Sequence, residues 1–141
     1  QRLLESAKEQ LELGFRIGAE LEFSLQKRRR RRNDNNDIDN DNDYYKPVDT
    51  SLFAHPTILN QYETFFSDLN SQLQRQDIPI IEQLHAESSS GQIEIVLRYR
   101  DDPIQLADDI LYTKETIVAC AYSHNLQAFF DQNQLWMGLG M

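Results

Sequence analysis

Apolar residues recur at helical spacing near the start of the chain, at Leu3, Leu4, Ala7 and Leu11. Glu5, Lys8, Glu9 and Glu12 fill the rest of that wheel, so the pattern predicts an amphipathic helix. Gly14 reads as its stop, because glycine accepts the left-handed conformation without a Cβ penalty. A chain that opens inside a helix without an initiator Met is expected to be a segment of something longer. From Phe15 the period changes to two. Phe15, Ile17, Ala19, Leu21, Phe23 and Leu25 face one way, and Arg16, Gly18, Glu20, Glu22, Ser24 and Gln26 the other. That alternation predicts a half-buried strand over 15–26.

Residues 27–43 break every period. Lys27 and Arg28 to Arg32 form a basic block, and Asn33 to Asp43 is Asn and Asp except for Ile38. Such a segment has nothing to bury, and a disordered low-complexity insertion is expected. A nuclear-import or nucleic-acid patch on the arginines is one alternative. A calcium loop on Asp37, Asp39 and Asp41 is another, though it lacks the turn glycine and has Val48 where a bidentate Glu belongs. The two blocks can also simply pair with each other.

Helical spacing returns after Pro56 and Thr57, a helix start. Ile58, Tyr62, Phe65, Phe66, Leu69 and Leu73 form one apolar stripe, which Asp77 and Pro79 terminate. Ile80 to Glu87 and Gln92 to Arg100 read as two strands joined by the turn Ser88 to Gly91, an antiparallel hairpin. Asp102 as N-cap and Pro103 as first helical residue start another helix. Its expected apolar stripe is Ile104, Ala107, Ile110, Leu111, Val118 and Ala121, with Asn125 as the stop. Cys120 falls inside it and reads as a small core residue rather than a nucleophile. Leu126 to Phe130 is a short strand candidate, and Asp131 to Met141 shows no period. A hairpin within a mixed order of strands and helices predicts an α+β fold, mostly antiparallel sheet with flanking helices.

Composition narrows the function classes. The chain has 141 residues and a formal charge of −9, enough for one domain with one core. Segment 27–43 holds six basic residues and five aspartates, a net +1, which leaves −10 on the remainder. So acidic a body is unsuited to non-specific nucleic-acid binding and suited to cations. No apolar run approaches the roughly 20 residues a membrane helix needs. The single cysteine fits a reducing compartment, and a cytoplasmic location is expected.

Candidate chemistry lies in the carboxylates Glu20, Glu22, Glu87 and Glu94, all on polar strand faces or at a strand end. Opposed like charges on one sheet face cost roughly 0.2–1 kcal/mol per pair. A hard divalent cation reverses that sign, since Mg²⁺ and Mn²⁺ take oxygen ligands. A merely solvated face is the competing reading.

At these residues the chain resembles a known family. Gly18-Ala19-Glu20-Leu21-Glu22-Phe23 looks like the Gly-x-Glu-x-Glu-Phe strand of glutamine synthetases. His85-Ala86-Glu87 through Gly91-Gln92-Ile93-Glu94 looks like that family's second metal-binding hairpin. Asp102-Pro103, then Ala107-Asp108 and Lys114, resembles the helix that follows. The wording is closest to synthetase-like domains of fungal proteins, and it covers the chain apart from residues 27–43. The resemblance implies a partial glutamine synthetase catalytic domain over residues 1–141.

It further implies that Glu22, Glu87 and Glu94 hold one divalent metal beside the glutamate site. Glu20 is implied as a ligand of a second metal against the ATP phosphates, Glu82 as a nucleotide-side residue, and Gly138 as part of the glycine-rich loop that receives glutamate. Mg²⁺ or Mn²⁺ is the implied cofactor and ATP the co-substrate. Glutamate and ammonia are the other implied partners, and a full-length protein is expected to form a homo-oligomer. The implied activity is glutamate–ammonia ligation, in which ATP phosphorylates the γ-carboxylate and ammonia attacks. Departures from the family pattern are Met137 where Asn is common, and Asp131-Gln132-Asn133 where a Pro-Lys-Pro segment is usual. The family's next metal-binding His and its substrate arginines fall beyond Met141, so the isolated chain is expected to be inactive. A catalytically inactive binding or scaffold protein of the same fold is the alternative, and a small acidic domain whose carboxylates only keep it soluble is a third.

Overall fold

The computed structural model describes residues 2–12, 14–29, 44–50, 55–78, 80–86, 90–130 and 135–140, with the backbone alone at 28–29, 44, 80–86 and 135–140. In chain order it comprises α1 (Arg2–Leu11), β1 (Arg16–Arg29), β2 (Tyr44–Pro47), α2 (Thr57–Gln61), α3 (Glu63–Arg75), β3 (Ile80–Ala86), β4 (Gln92–Arg100), α4 (Pro103–Ser123), β5 (Leu126–Phe129) and β6 (Leu135–Gly140). The fold is α+β with an antiparallel sheet, as the alternation of patterns predicted.

β1 is the hub of the sheet. It pairs antiparallel with β4 through Ile17 to Ser24 and with β2 through Gln26 to Arg29. It also pairs with β6 through Arg16 to Leu21 and with β5 through Lys27 back to Ser24. Ile17 and Ala19 to Leu21 pair with both β4 and β6, Ser24 with both β4 and β5, and Gln26 and Lys27 with both β2 and β5. A strand has two edges, so β4 and β2 share one edge and β6 and β5 the other. β3 then extends the sheet beyond β4.

The period of two in β1 has the expected effect. Ala19, Leu21, Phe23 and Leu25 are buried, and they meet Ile93, Ile95 and Leu97 from β4. Helices α2, α3 and α4 cover that face with Ile58, Phe65, Phe66, Leu69, Leu73, Leu106, Ile117 and Cys120. The even-numbered residues of β1 therefore belong to the opposite face, which the helices leave open.

Several local expectations are corrected. The left-handed residue after α1 is Glu12 (φ 55°), not Gly14. α1 forms where expected, yet none of its residues is buried. The expected single helix from Ile58 to Leu73 is broken at Tyr62, whose backbone leaves helical geometry at φ −116°, ψ 27°. The bonds Tyr62 N to Ile58 O and Phe66 N to Tyr62 O bridge the break, so the apolar stripe stays in phase. Lys27 to Arg29, assigned to the insertion by composition, continue β1 because β2 pairs with them. Residues 30–43 therefore connect two antiparallel neighbours, and their expected disorder lies outside the described residues.

α4 presents a different face from the one its apolar residues suggested. Ile104, Leu111 and Val118 are exposed, whereas Asp109, Thr113 and Thr116 are buried beside Leu106, Ile117 and Cys120. Two of these inward polar residues meet partners: Arg100 Nε donates to Asp109 Oδ2 at 2.7 Å, and Gln76 Nε2 donates to Thr116 Oγ1 at 2.9 Å, whereas the Thr113 hydroxyl finds none among the described residues. The start of α4 is as expected. Asp102 accepts from Ile104 N at 2.9 Å, and Pro103 follows it. Asp102→Ala should lower stability by about 1 kcal/mol, the usual worth of an N-cap, measured by urea unfolding. An unchanged midpoint would mean the first turn is held by packing alone. The end of α4 is also as read, with Asn125 left-handed at φ 57°. The aperiodic tail contains a strand, β6, whose partner is too distant in sequence for any local pattern to reveal.

Candidate functional site

The strands place two acidic residues side by side on the open face. Glu22 of β1 stands directly opposite Glu94 of β4. Their Cβ atoms are thus about 4.5–5.5 Å apart, close enough for both carboxylates to reach one ion. Both are half-buried, so their mutual repulsion is incompletely screened by water. One pair further along, Ser24 faces Gln92, and the Gln92 Nε2 donates to Glu22 Oε2. Gln92 is only 4% exposed, which fixes its amide and through it the orientation of Glu22. Gln92 belongs to the hairpin motif, yet the motif alone implies no role for it. Its position two residues before Glu94 on a period-two strand was the available signal.

Glu20 lies on the same face as Glu22, two residues back, opposite Val96 on one side and Trp136 on the other. It is exposed and lies two residues, about 6.6 Å, along β1 from the Glu22–Glu94 pair. On β3, His85 stands opposite Glu94, so Glu22, Glu94 and His85 share one row across β1, β4 and β3. Glu82 falls within the irregular stretch of β3 between the Ile80 and Leu84 pairings. Gly138 is held within β6, opposite Gly18 of β1. Glu87 lies outside the described residues, and with it the expectation that it joins Glu22 and Glu94 at one metal.

The turn that delivers β4 is fixed by Gly91. Its φ of +73° favours glycine, and its carbonyl accepts from Leu25 N at 2.7 Å. That bond ties the hairpin to the centre of β1 and sets the register in which Glu22 meets Glu94. The donor set of this face is oxygen-rich and anionic, with an amide steadying one carboxylate. It fits a hard divalent cation and does not fit a soft one.

A second group of ligand-type side chains sits on the helical side. Asp68 of α3, Cys120 of α4 and His124 just past α4 bring a carboxylate oxygen, Sγ and a ring nitrogen within 4.8 Å of one another. Burial foremost, and the nearby Asp68 charge, push the Cys120 thiol up to about 12. The Asp68 carboxyl is held below its ordinary value chiefly by the Gln72 hydrogen bond and then by His124. A thiol so hard to ionise is no nucleophile near neutral pH, as its place inside a helix suggested.

Over residues 1–140 the chain matches the glutamine synthetase catalytic domain. It belongs to that family. Among solved structures it is similar to a glutamine synthetase of Plasmodium falciparum determined by cryo-electron microscopy, with a TM-score of 0.70 and 20% identity. That alignment covers 98% of this chain and 32% of the other. GmaS in complex with ADP aligns with a TM-score of 0.64 and 21% identity, over 91% of this chain and 27% of that one. A novel glutamine synthase homolog aligns with a TM-score of 0.62 and 17% identity, over 98% of this chain and 30% of that one. At these identities the likeness is one of fold, and the chain spans about a third of the length of these proteins. None of the curated proteins compared with it matches in sequence. Among the described residues no helix is long and apolar enough to cross a membrane.

Proposed function

We propose that this chain contributes the carboxylate face of an ATP-dependent amide ligase of the glutamate–ammonia type. The observation that carries the reading is the direct opposition of Glu22 and Glu94, steadied by Gln92, on the open face of a sheet with the glutamine synthetase catalytic fold. Glu22 and Glu94, with Glu87 as the third carboxylate that the family pattern implies, would hold Mg²⁺ or Mn²⁺. Glu20 would serve a second ion on the nucleotide side, with Glu82 near the nucleotide and Gly138 near glutamate. Such ions, when bound, neutralise charge on the transferring phosphoryl group and orient both reactants.

The reaction so read has two displacements. A γ-carboxylate oxygen of glutamate attacks the terminal phosphorus of ATP, and ADP departs. Ammonia then attacks the acyl carbon, loses a proton and expels phosphate. Within this scheme Gln92 is a positioning residue: its buried amide holds Glu22 in one orientation, while the register of β1 and β4 holds the two carboxylates together. A cytoplasmic setting and a homo-oligomeric full-length protein accompany the proposal. The likeness in fold to GmaS in complex with ADP supports a nucleotide as co-substrate.

The test is a Mn²⁺ titration read by water-proton relaxation. Replacing a residue that merely orients a metal ligand commonly costs 10–100-fold in affinity, so Glu22→Gln or Glu94→Gln should cost at least about tenfold. Gln92→Leu should cost less than either. Equal affinity in all four proteins would overturn the assignment and leave a solvated acidic face.

A further inference from the structure

We propose that Asp68, Cys120 and His124 form a zinc site, separate from the carboxylate face, that clamps α3 to the end of α4. Three donors of the right kinds converge there from two helices. Cys120 and His124 are four residues apart, so they lie on one side of the α4 terminus. Asp68 comes from the facing helix. Its Oδ2 is 3.5 Å from Cys120 Sγ and 3.2 Å from His124 Nε2.

Those separations are the edges of a coordination tetrahedron. Typical Zn–S, Zn–N and Zn–O bonds give tetrahedral edges of about 3.6 Å for sulfur to oxygen and about 3.4 Å for nitrogen to oxygen. Both observed distances lie within a few tenths of an ångström of them. Two of the three donor–donor edges are therefore near tetrahedral length before any ion binds, and all three donor atoms lie within 4.8 Å of one another. A cysteine sulfur with an imidazole selects a borderline-soft metal, which the oxygen donors of the sheet face do not.

The surroundings favour a built site over a chance meeting. Cys120 is fully buried, and its Sγ also lies 3.7 Å from the Phe65 carbonyl. The Phe65 ring meets the His124 ring edge-on with centroids 5.7 Å apart, which restrains the imidazole. Gln72 Nε2 donates to Asp68 Oδ2 at 3.1 Å and restrains the carboxylate. The Asp68 and His124 side chains retain 38% and 26% exposure, so a metal has an entry path and water can complete the fourth position. Binding forms a Zn–S bond as the thiol proton leaves to solvent, and the neutral His124 ring, whose Nε2 proton had faced Asp68, passes that proton through solvent to Nδ1 so that Nε2 binds with no net proton change at the ring. Zn²⁺ is taken up and about one proton is released, with no redox change.

Co²⁺ is the probe, because a thiolate ligand gives a sulfur-to-cobalt charge-transfer band that carboxylates cannot give. One Co²⁺ per chain should produce that band with tetrahedral visible absorption, and Zn²⁺ should displace it stoichiometrically. His124→Ala and Asp68→Asn should each weaken binding at least tenfold. Glu22→Gln should leave the band unchanged, which separates this site from the sheet face. Cys120→Ser should abolish the band, and His124→Ala keeps the test decisive should that buried variant not fold. Absence of a thiolate band in folded protein, or a band indifferent to both His124→Ala and Asp68→Asn, would overturn the site and leave a hydrogen-bonded contact between helices. Calorimetry in buffers of differing ionisation enthalpy should return about one proton per Zn²⁺, and zero would also contradict thiolate ligation.

Discussion

Gly91→Ala should lower the unfolding free energy by about 2–5 kcal/mol and weaken Mn²⁺ binding in the same protein. Two costs combine. A residue with a Cβ held at φ +73° pays about 1–2 kcal/mol for left-handed backbone. The added Cβ would also stand 2.6 Å from the Leu25 carbonyl oxygen and 3.3 Å from Pro47 Cβ. A backbone oxygen cannot swing aside as a flexible side chain can, and overpacking of this kind typically costs 1–3 kcal/mol. That oxygen is already engaged, because it accepts from Val48 N at 3.0 Å, while Gly91 O accepts from Leu25 N. Displacing it loosens the point at which β1, β2 and the β3–β4 turn meet. Gln92 and Glu94 follow in β4, so the loss should extend to the proposed metal site.

Urea unfolding with an unchanged m-value would read the stability cost, and the Mn²⁺ titration the functional one. Gly14→Ala is the control: nothing lies within 4 Å of its Cβ position, and it has no left-handed φ, so stability should hold or rise slightly. A Gly91→Ala protein within about 0.5 kcal/mol of the parent would show that the turn is not the constraint that sets the register.

How much of this was legible in the sequence depended on whether the signal was local. The strands β1 and β4 announced themselves because one face of each is buried, and burial imposes alternation. The start of α4 was legible because Asp102 and Pro103 act within their own turn. The carboxylates on the open face could be named for the same reason, and the register then brought Glu22 and Glu94 together. Elements fixed by distant partners were not legible. β6 exists because β1 has a free edge at Arg16 to Leu21. Lys27 to Arg29 extend β1 for the sake of β2, against their composition. The inward face of α4 was misread because Asp109, Thr113 and Thr116 lie on it, and Asp109 and Thr116 meet partners from other elements that no local pattern reveals. Cys120 and His124 were readable as a pair four apart, but Asp68 joins them only through packing of α3 on α4.

The largest of those hidden partnerships gives the remaining prediction. Asp109 is only 7% exposed, and Arg100 of β4 meets it at 2.7 Å from Nε to Oδ2. The same guanidinium donates through its terminal nitrogen to the Asp77 carbonyl at 2.7 Å. Arg100 thus joins the end of β4, the first half of α4 and the turn after α3. Truncating one member of a buried pair strands the other charge in a poorly solvated place, at a cost of about 3–5 kcal/mol. Arg100→Leu should therefore remove a large part of the 5–15 kcal/mol that a domain typically has. Replacing both members should be far milder, because two packed apolar side chains need no compensation. The double variant Arg100→Leu with Asp109→Leu should lie closer to the parent than either single variant. A double-mutant cycle by urea unfolding isolates that coupling. A cost below about 1 kcal/mol for Arg100→Leu alone would place the pair among screened surface bridges, and α4 would then owe its orientation to Leu106, Ile117 and Cys120 instead.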